Sequence, residues 1–259
     1  MDLGLSGRRA LVLGASRGLG AAIAHALALE GCSVVAASRS AGISWAAGLP
    51  PEIGNRIQAV GLDLSDRSAV SNVAQLVLQG GPVDILINNS GGPPPGSIQA
   101  VEAGRWDAQF ASMATNLFEL SRAILPQMLE RQWGRIITIA SSGVEQPIPN
   151  LGISNTVRAA IVGWSKTLAA EVAGQGVTVN VVLPGRIHTS RVDELDAAAA
   201  ARDNQTVEAI AKASASSIPT KRYGTPSEFA DVVAFLSSER ASYVTGSRIR
   251  VDGGAIRSI

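Results

Sequence analysis

The 259-residue chain has one cysteine, Cys32, which excludes an internal disulfide and a thiolate metal cluster. No metal site is expected. An excess of charge of either sign is missing too: the formal net charge is +1, so nothing argues for nucleic acid or an anionic membrane surface as a partner. The basic pairs Arg8-Arg9 and Lys221-Arg222 are short and read as solvated surface. No apolar run approaches the roughly 18 residues of a membrane span. The first residues, Met1-Asp2-Leu3-Gly4-Leu5, lack the basic and apolar regions of a secretory signal, so the expected compartment is the cytoplasm. Repeats at solenoid spacing are absent as well.

What the chain does have is apolar residues, 46% against 17% charged, enough for a sheet buried on both faces. Short apolar runs alternate with segments of helical period. The expected strands are 10–13, 33–37, 57–62, 85–88, 136–140, 177–183 and 249–251. Between them, Leu19, Ile23, Ala26 and Leu27 mark one helix closed by Gly31, and Val70, Val73 and Val77 another closed by Gly80. Strand–helix alternation predicts an α/β fold of the Rossmann type: one doubly wound parallel sheet of about seven strands with helices on both faces, in one domain spanning 1–259. Thr225-Pro226-Ser227-Glu228 supplies an N-cap, a proline at the first helical position and a glutamate at the third. Residues 191–221 break the rhythm. They are polar and alanine-rich and are expected to form one or two helices inserted after the sixth strand, beyond the carboxyl ends of the strands, where they would cover a substrate.

After the first strand comes Gly14-Ala15-Ser16-Arg17-Gly18-Leu19-Gly20, then an apolar helix. Glycines let the backbone approach a pyrophosphate, and a helix N-terminus stabilises its charge. The spacing is G-x-x-x-G-x-G rather than G-x-G-x-x-G. About 20 residues on, where many NAD sites place a carboxylate for the ribose 2′-hydroxyl, stands Ala37-Ser38-Arg39-Ser40. Arg39 and Arg17 suit a 2′-phosphate that a carboxylate would repel, so NADP(H) is expected in preference to NAD(H).

These features extend along the chain as a series. The glycine motif, Leu62-Asp63-Leu64, Asn88-Asn89-Ser90-Gly91, Ser141, Pro184-Gly185, Ser242-Tyr243-Val244-Thr245-Gly246 and Val251-Asp252-Gly253-Gly254 resemble, in order and spacing, successive signatures of the short-chain dehydrogenase/reductase family, with the nearest likeness to its β-ketoacyl carrier-protein reductase-like members. The resemblance implies hydride transfer between a nicotinamide and a small carbonyl or alcohol substrate. It implies that Asp63 and Leu64 border the adenine, that Asn89, Ser90 and Gly91 line the adenosine ribose side, and that Pro184, Gly185 and Thr189 meet the nicotinamide. It also implies a homo-oligomer, tetramer or dimer, packed through the helices around 117–128 and 161–172.

The catalytic apparatus departs from the family. Its Tyr hydroxyl exchanges the substrate proton, a Lys four residues later lowers the Tyr pKa, a Ser orients the substrate oxygen and an Asn holds a water relay. Here the Ser is kept as Ser141, but the Tyr position falls on Ser154, the Lys position on Arg158 and the Asn position on Met113. Neither of the chain's two tyrosines, Tyr223 and Tyr243, is near. Asn116, three residues beyond Met113, is read as a decoy unless the helix register differs. Ser154 either caps its helix or stands in the site. Arg158 stays protonated and can stabilise a developing oxyanion or bind the cofactor ribose, but it cannot act as a base. His188 follows Pro184-Gly185, and its unperturbed pKa suits a proton donor, against a solvated loop residue as the other reading. Glu145 is a weaker candidate of the same kind. Two readings stand: an NADP-dependent oxidoreductase with an altered proton relay, and a dinucleotide-binding protein without turnover, serving as sensor or oligomer subunit. An epimerase or dehydratase would need the same Tyr and a larger substrate domain.

Overall fold

A computed structural model describes residues 2–258; Met1, the first residue of the stretch read for a secretion signal, lies outside them. Seven strands, β1 (Arg9–Leu13), β2 (Ser33–Ser38), β3 (Ile57–Gly61), β4 (Ile85–Asn88), β5 (Gly134–Ile139), β6 (Val177–Pro184) and β7 (Arg248–Val251), form one parallel sheet in the order β3-β2-β1-β4-β5-β6-β7. The two-residue period of a strand divides each apolar run between two cores. Ala10 and Val12 of β1, with Ala36, Ile87 and Ile137, face α1 (Gly18–Leu29) and α9 (Pro226–Ser237). Leu11 and Leu13, with Val35, Leu86 and Ile136, face α3 (Arg67–Gln79), α5 (Asn116–Glu130) and the end of α6 (Gly152–Val172). That is why the strands read as unbroken apolar segments.

The expected strand positions hold within one or two residues. The largest shift is in β5, which begins at Gly134 because Arg135 is a buried strand residue. Its guanidinium donates to the carbonyls of Ser238, Gly134 and Gly176, so a charge satisfied by backbone oxygens extends a strand that an apolar count starts at Ile136. A single turn, α2 (Pro51–Gly54), precedes β3. The segment from 103 is α4 (Ala103–Phe110), then five residues of π-helix, Ala111–Thr115, then α5. The insertion forms two helices, α7 (Ser190–Asp203) and α8 (Val207–Ser217). At α9 the capping box is complete: Thr225 Oγ1 accepts from the Glu228 N–H, and Glu228 accepts from the Thr225 N–H. Among the described residues no helix is long and apolar enough to cross a membrane.

Strand order reverses between β1 and β4, so the chain leaves these two adjacent strands towards opposite sides. In an open α/β sheet this switch point leaves a crevice outside the carboxyl ends of the strands.

Candidate active site

A cleft of about 1890 Å³ occupies that crevice. Its wall brings together nearly all the residues singled out in the sequence: Gly14, Ser16, Arg17, Gly18 and Leu19 after β1; Ser38 and Arg39 at the end of β2; Asp63 and Leu64 after β3; and Asn89, Ser90 and Gly91 after β4. Ser141 follows β5, Ser154 and Arg158 come from α6, and Pro184, Gly185 and Thr189 follow β6. Parallel pairing aligns all these strand ends on one edge, which is how residues 170 positions apart share a wall.

The glycine loop has the close approach that its sequence implies. Gly14 sits at φ +63°, and a Cβ there would lie 2.7 Å from Asn89 Nδ2. Gly20 is not itself on the cleft wall. A Cβ on it would stand 2.2 Å from the Gly14 carbonyl oxygen, so only glycine lets the first turn of α1 pack against the loop. Asn89 donates to the Leu13 carbonyl at 3.2 Å and ties the β4 loop to the end of β1. Trp45, which the sequence reading passed over, donates from Nε1 to the Ala15 carbonyl at 2.8 Å and holds the loop from the other side. Asp63 accepts from the Ser65 N–H and hydroxyl, and these bonds, with Arg39 contributing more weakly, hold its carboxyl below the usual range. The buried hydroxyls of Ser38 and Ser90 have no hydrogen-bond partner among the described residues. A cradle that any Cβ would obstruct, with two unmatched hydroxyls on its wall, fits a dinucleotide.

Further along the cleft, the position 154 and 158 side chains share a helix face and touch: Arg158 Nε donates to Ser154 Oγ at 3.3 Å, and Nη1 donates to the Ile139 carbonyl at 2.8 Å. Burial and then the repulsion of Arg191 push the guanidinium down to about 10, which leaves it charged at neutral pH. The capping alternative for Ser154 is overturned. The N-cap of α6 is Leu151, so Ser154 lies inside the first turn with its hydroxyl turned to Arg158 rather than to a free backbone N–H. Ser141 Oγ accepts from the Gly143 N–H at 3.1 Å and caps a short turn while it lines the cleft, which leaves its proton free to donate.

His188 is not brought to this site. Its side chain is 70% exposed and lies 3.4 Å from Asp193, because the residues on either side of it, Ile187 and Thr189, turn inward and leave it outside. Glu145 lines a separate hollow beside Arg248 and Arg250. Asn116 is not on the cleft wall: 2% exposed, it donates to the Leu64 carbonyl at 2.8 Å, whereas Met113, in the π-helical turn, lines the cleft.

The insertion supplies what the sequence did not point to. Arg191 of α7 donates to the Pro93 carbonyl at 2.9 Å and bridges the cleft to the β4 loop. Glu194 sits between Arg191 and Arg17, at 3.3 and 3.6 Å. Val192, Leu195, Ala198 and Ala199 complete the α7 wall. Behind them the buried Asp196 accepts from Arg186 Nη1 and from the Tyr223 hydroxyl, each at 2.9 Å, anchoring α7 to the loop after β6. For Arg191, Glu194 and Asp196 the only signal was their charge, and a polar segment offers many such residues.

Fold and cleft together define a nicotinamide-dinucleotide-type oxidoreductase. The family model described as Enoyl-(Acyl carrier protein) reductase matches residues 14–255, and the chain belongs to the short-chain dehydrogenase/reductase family. It is 39% identical to Nodulation protein G of Azospirillum brasilense over 255 residues, 96% of this chain and 98% of that one. It is 35% identical to the 3-oxoacyl-[acyl-carrier-protein] reductase FabG of Escherichia coli, covering 97% and 98%. Among solved structures, the L-sorbose reductase of Gluconobacter frateurii complexed with NADPH and L-sorbose superposes with a TM-score of 0.91 at 31% identity, over the whole of both chains.

Proposed function

We propose that this protein is a cytoplasmic, homo-oligomeric oxidoreductase that uses NADP(H) and acts on a small carbonyl or alcohol substrate with Ser141, Ser154 and Arg158 in place of the family's usual catalytic set. The observation that carries the reading is the cleft itself: a glycine cradle continuous with a wall on which a serine and a buried cation meet. NADP(H) is favoured over NAD(H) by Arg39 at the end of β2, by Arg17 in the glycine loop and by the want of a carboxylate near Ser38. Gly14, Ser16, Gly18, Leu19 and Gly20 would hold the pyrophosphate; Ser38, Arg39 and Arg17 the 2′-phosphate; and Asp63, Leu64, Asn89, Ser90 and Gly91 the adenosine. Pro184, Gly185 and Thr189 would hold the nicotinamide, with the insertion as the substrate cover. When bound, the dinucleotide supplies a hydride. The chain orients the acceptor oxygen through Ser141 and the pair Ser154–Arg158, and the α7 wall excludes water.

Titration of purified protein with NADPH and with NADH, followed by nucleotide fluorescence, tests the cofactor. NADPH binds more tightly, and Arg39→Ala weakens NADPH by about tenfold, roughly 1.4 kcal/mol, while leaving NADH unchanged. Equal affinities in the native protein would defeat the assignment. Single-turnover oxidation of bound NADPH across ketones, quinones and acyl thioesters then tests turnover, and inertness to all of them would favour the binding protein without catalysis.

A further inference from the structure

The cleft wall carries six arginines, at 17, 39, 158, 186, 191 and 202, against two carboxylates, Asp63 and Glu194. Four of the six have an acid at salt-bridge distance. Arg17 and Arg191 share Glu194, Arg186 reaches the buried Asp196, and Arg202 reaches Asp203. Arg39 is exposed at the end of β2, where the reading above gives it the 2′-phosphate. Arg158 is left over. It alone of the six is buried, at 7% exposure, and the charged group of the described residues that acts on it is a second cation, Arg191. Nε and Nη1 donate to Ser154 and Ile139, and Nη2 has no protein acceptor among the described residues. Burying an unmatched cation costs several kcal/mol, so this position calls for an anion.

The dinucleotide does not bring that anion here. Its phosphates belong to the glycine cradle and the end of β2. The part assigned to this end, the nicotinamide and its ribose, is neutral when reduced and cationic when oxidised. Ribose hydroxyls can satisfy Nη2 but not its charge. The rest of the wall around the pair adds hydrogen-bonding groups without charge: Gln109, Ser112, Ser142 and Asn150. The anion is therefore the substrate's own. A guanidinium with a free edge matches a carboxylate in shape as well as charge.

We propose that Arg158 is the substrate's carboxylate anchor, and that the cleft takes free 2-oxo acids or the corresponding 2-hydroxy acids. This rests on the oxidoreductase reading and names the substrate class for it. The position of the carbonyl follows from the contact between the two side chains. Ser154 Oγ accepts from Arg158 at 3.3 Å and keeps its own proton to donate, as does Ser141. A keto oxygen on these hydroxyls and a carboxylate on the guanidinium are neighbours, which is the arrangement of a 2-oxo acid. The keto carbon accepts the hydride, the C=O electron pair moves onto oxygen, and a proton from water completes the alcohol. The carboxylate is unchanged. An ester or thioester of the same acid has no charge to offer Arg158 and loses the anchor.

The primary test is free of turnover and uses benzoate and benzamide, which are alike in shape and differ in charge. By calorimetry the native protein should bind benzoate at least about tenfold more tightly than benzamide. Arg158→Met should bring benzoate down to the benzamide level, and Arg158→Lys should keep part of the preference, because an ammonium retains the charge without the planar fork. Circular dichroism establishes that each variant folds, and the native preference decides the matter where one does not. Equal affinities, binding of neither, or a preference that survives in Arg158→Met overturns the proposal. NADPH titration runs beside it. A protein that binds no NADPH loses the oxidoreductase reading and the substrate class with it, while the benzoate comparison still reports the anion site. In turnover, NADPH-dependent reduction of 4-methyl-2-oxopentanoate should exceed that of its methyl ester at least about tenfold in kcat/KM, and Arg158→Met should remove the difference mainly through KM. An ester reduced as well as the acid would also overturn it.

Discussion

Position 154 carries an aliphatic hydroxyl and position 158 a guanidinium, and we propose that these two stand where the family has a phenol and an ammonium. The four-residue spacing puts the two side chains on one helix face, where they meet at 3.3 Å. Arg158 stays charged and Ser154 is a poor acid, so neither can perform the family's proton exchange. Restoring both groups, Ser154→Tyr with Arg158→Lys, should raise NADPH-dependent reduction of a simple activated ketone by up to about 10²-fold. Either change alone should have little effect, because the phenol needs the cation and the ammonium needs something to activate. Assaying all four variants with cofactor affinity measured in parallel checks this; a native enzyme already as fast as the double variant would refute the handicap. At the same scale, burial pushes the Cys32 thiol up to about 12, with its Sγ donating to the Leu5 carbonyl. A thiol reagent should therefore fail to label the native protein near pH 8 and label it fully in denaturant.

Among the elements, α9 is the one whose start is written most plainly in its residues. Thr225→Ala removes the cap and should lower stability by about 1 kcal/mol, a fall of about 2–4 °C in the melting temperature of a chain this size. Glu228 belongs to the same box, and hydrogen bonds from Arg222 and from the Thr225 N–H hold its carboxyl at about 2, below its ordinary 4.5. A depressed folded-state pKa means that the contribution is fully present above pH 4.5 and is lost as pH falls towards 2. The destabilisation caused by Glu228→Gln should accordingly shrink over that window in acid-titrated melting curves. The inserted helices are less legible. Their existence follows from an alanine-rich polar segment, but the network of Arg186, Asp196 and Tyr223 that fixes α7 joins three stretches of chain and has no local pattern.

For the whole molecule, the outward sides of α5 and α6 carry the second question. Phe118 and Trp164 stack with their ring centroids 4.4 Å apart and remain only half-buried, beside a small apolar cluster of Met113, Ile153, Val157 and Ile161. Tyr243 is fully exposed. Such a surface is more apolar than one sheet face requires. Light scattering at micromolar concentration should give a tetramer or a dimer, and Trp164→Glu should shift the population towards monomer. A monomeric native protein would contradict the expectation.

The residues by themselves determined the sheet, since each apolar run, turn glycine and helix period is a local consequence of burial on two faces. They also determined the cleft at the strand ends, because the backbone demands of Gly14 and Gly20 are local and parallel strands must end on one edge. Tertiary structure alone decided which polar groups face the cleft: His188 turned out to solvent, Ser154 turned to Arg158 rather than to a helix end, and Arg191 brought across to the β4 loop. Those outcomes depend on how α6 and α7 pack over the strand ends, and a side chain's partner across such a contact leaves no periodic trace in the chain.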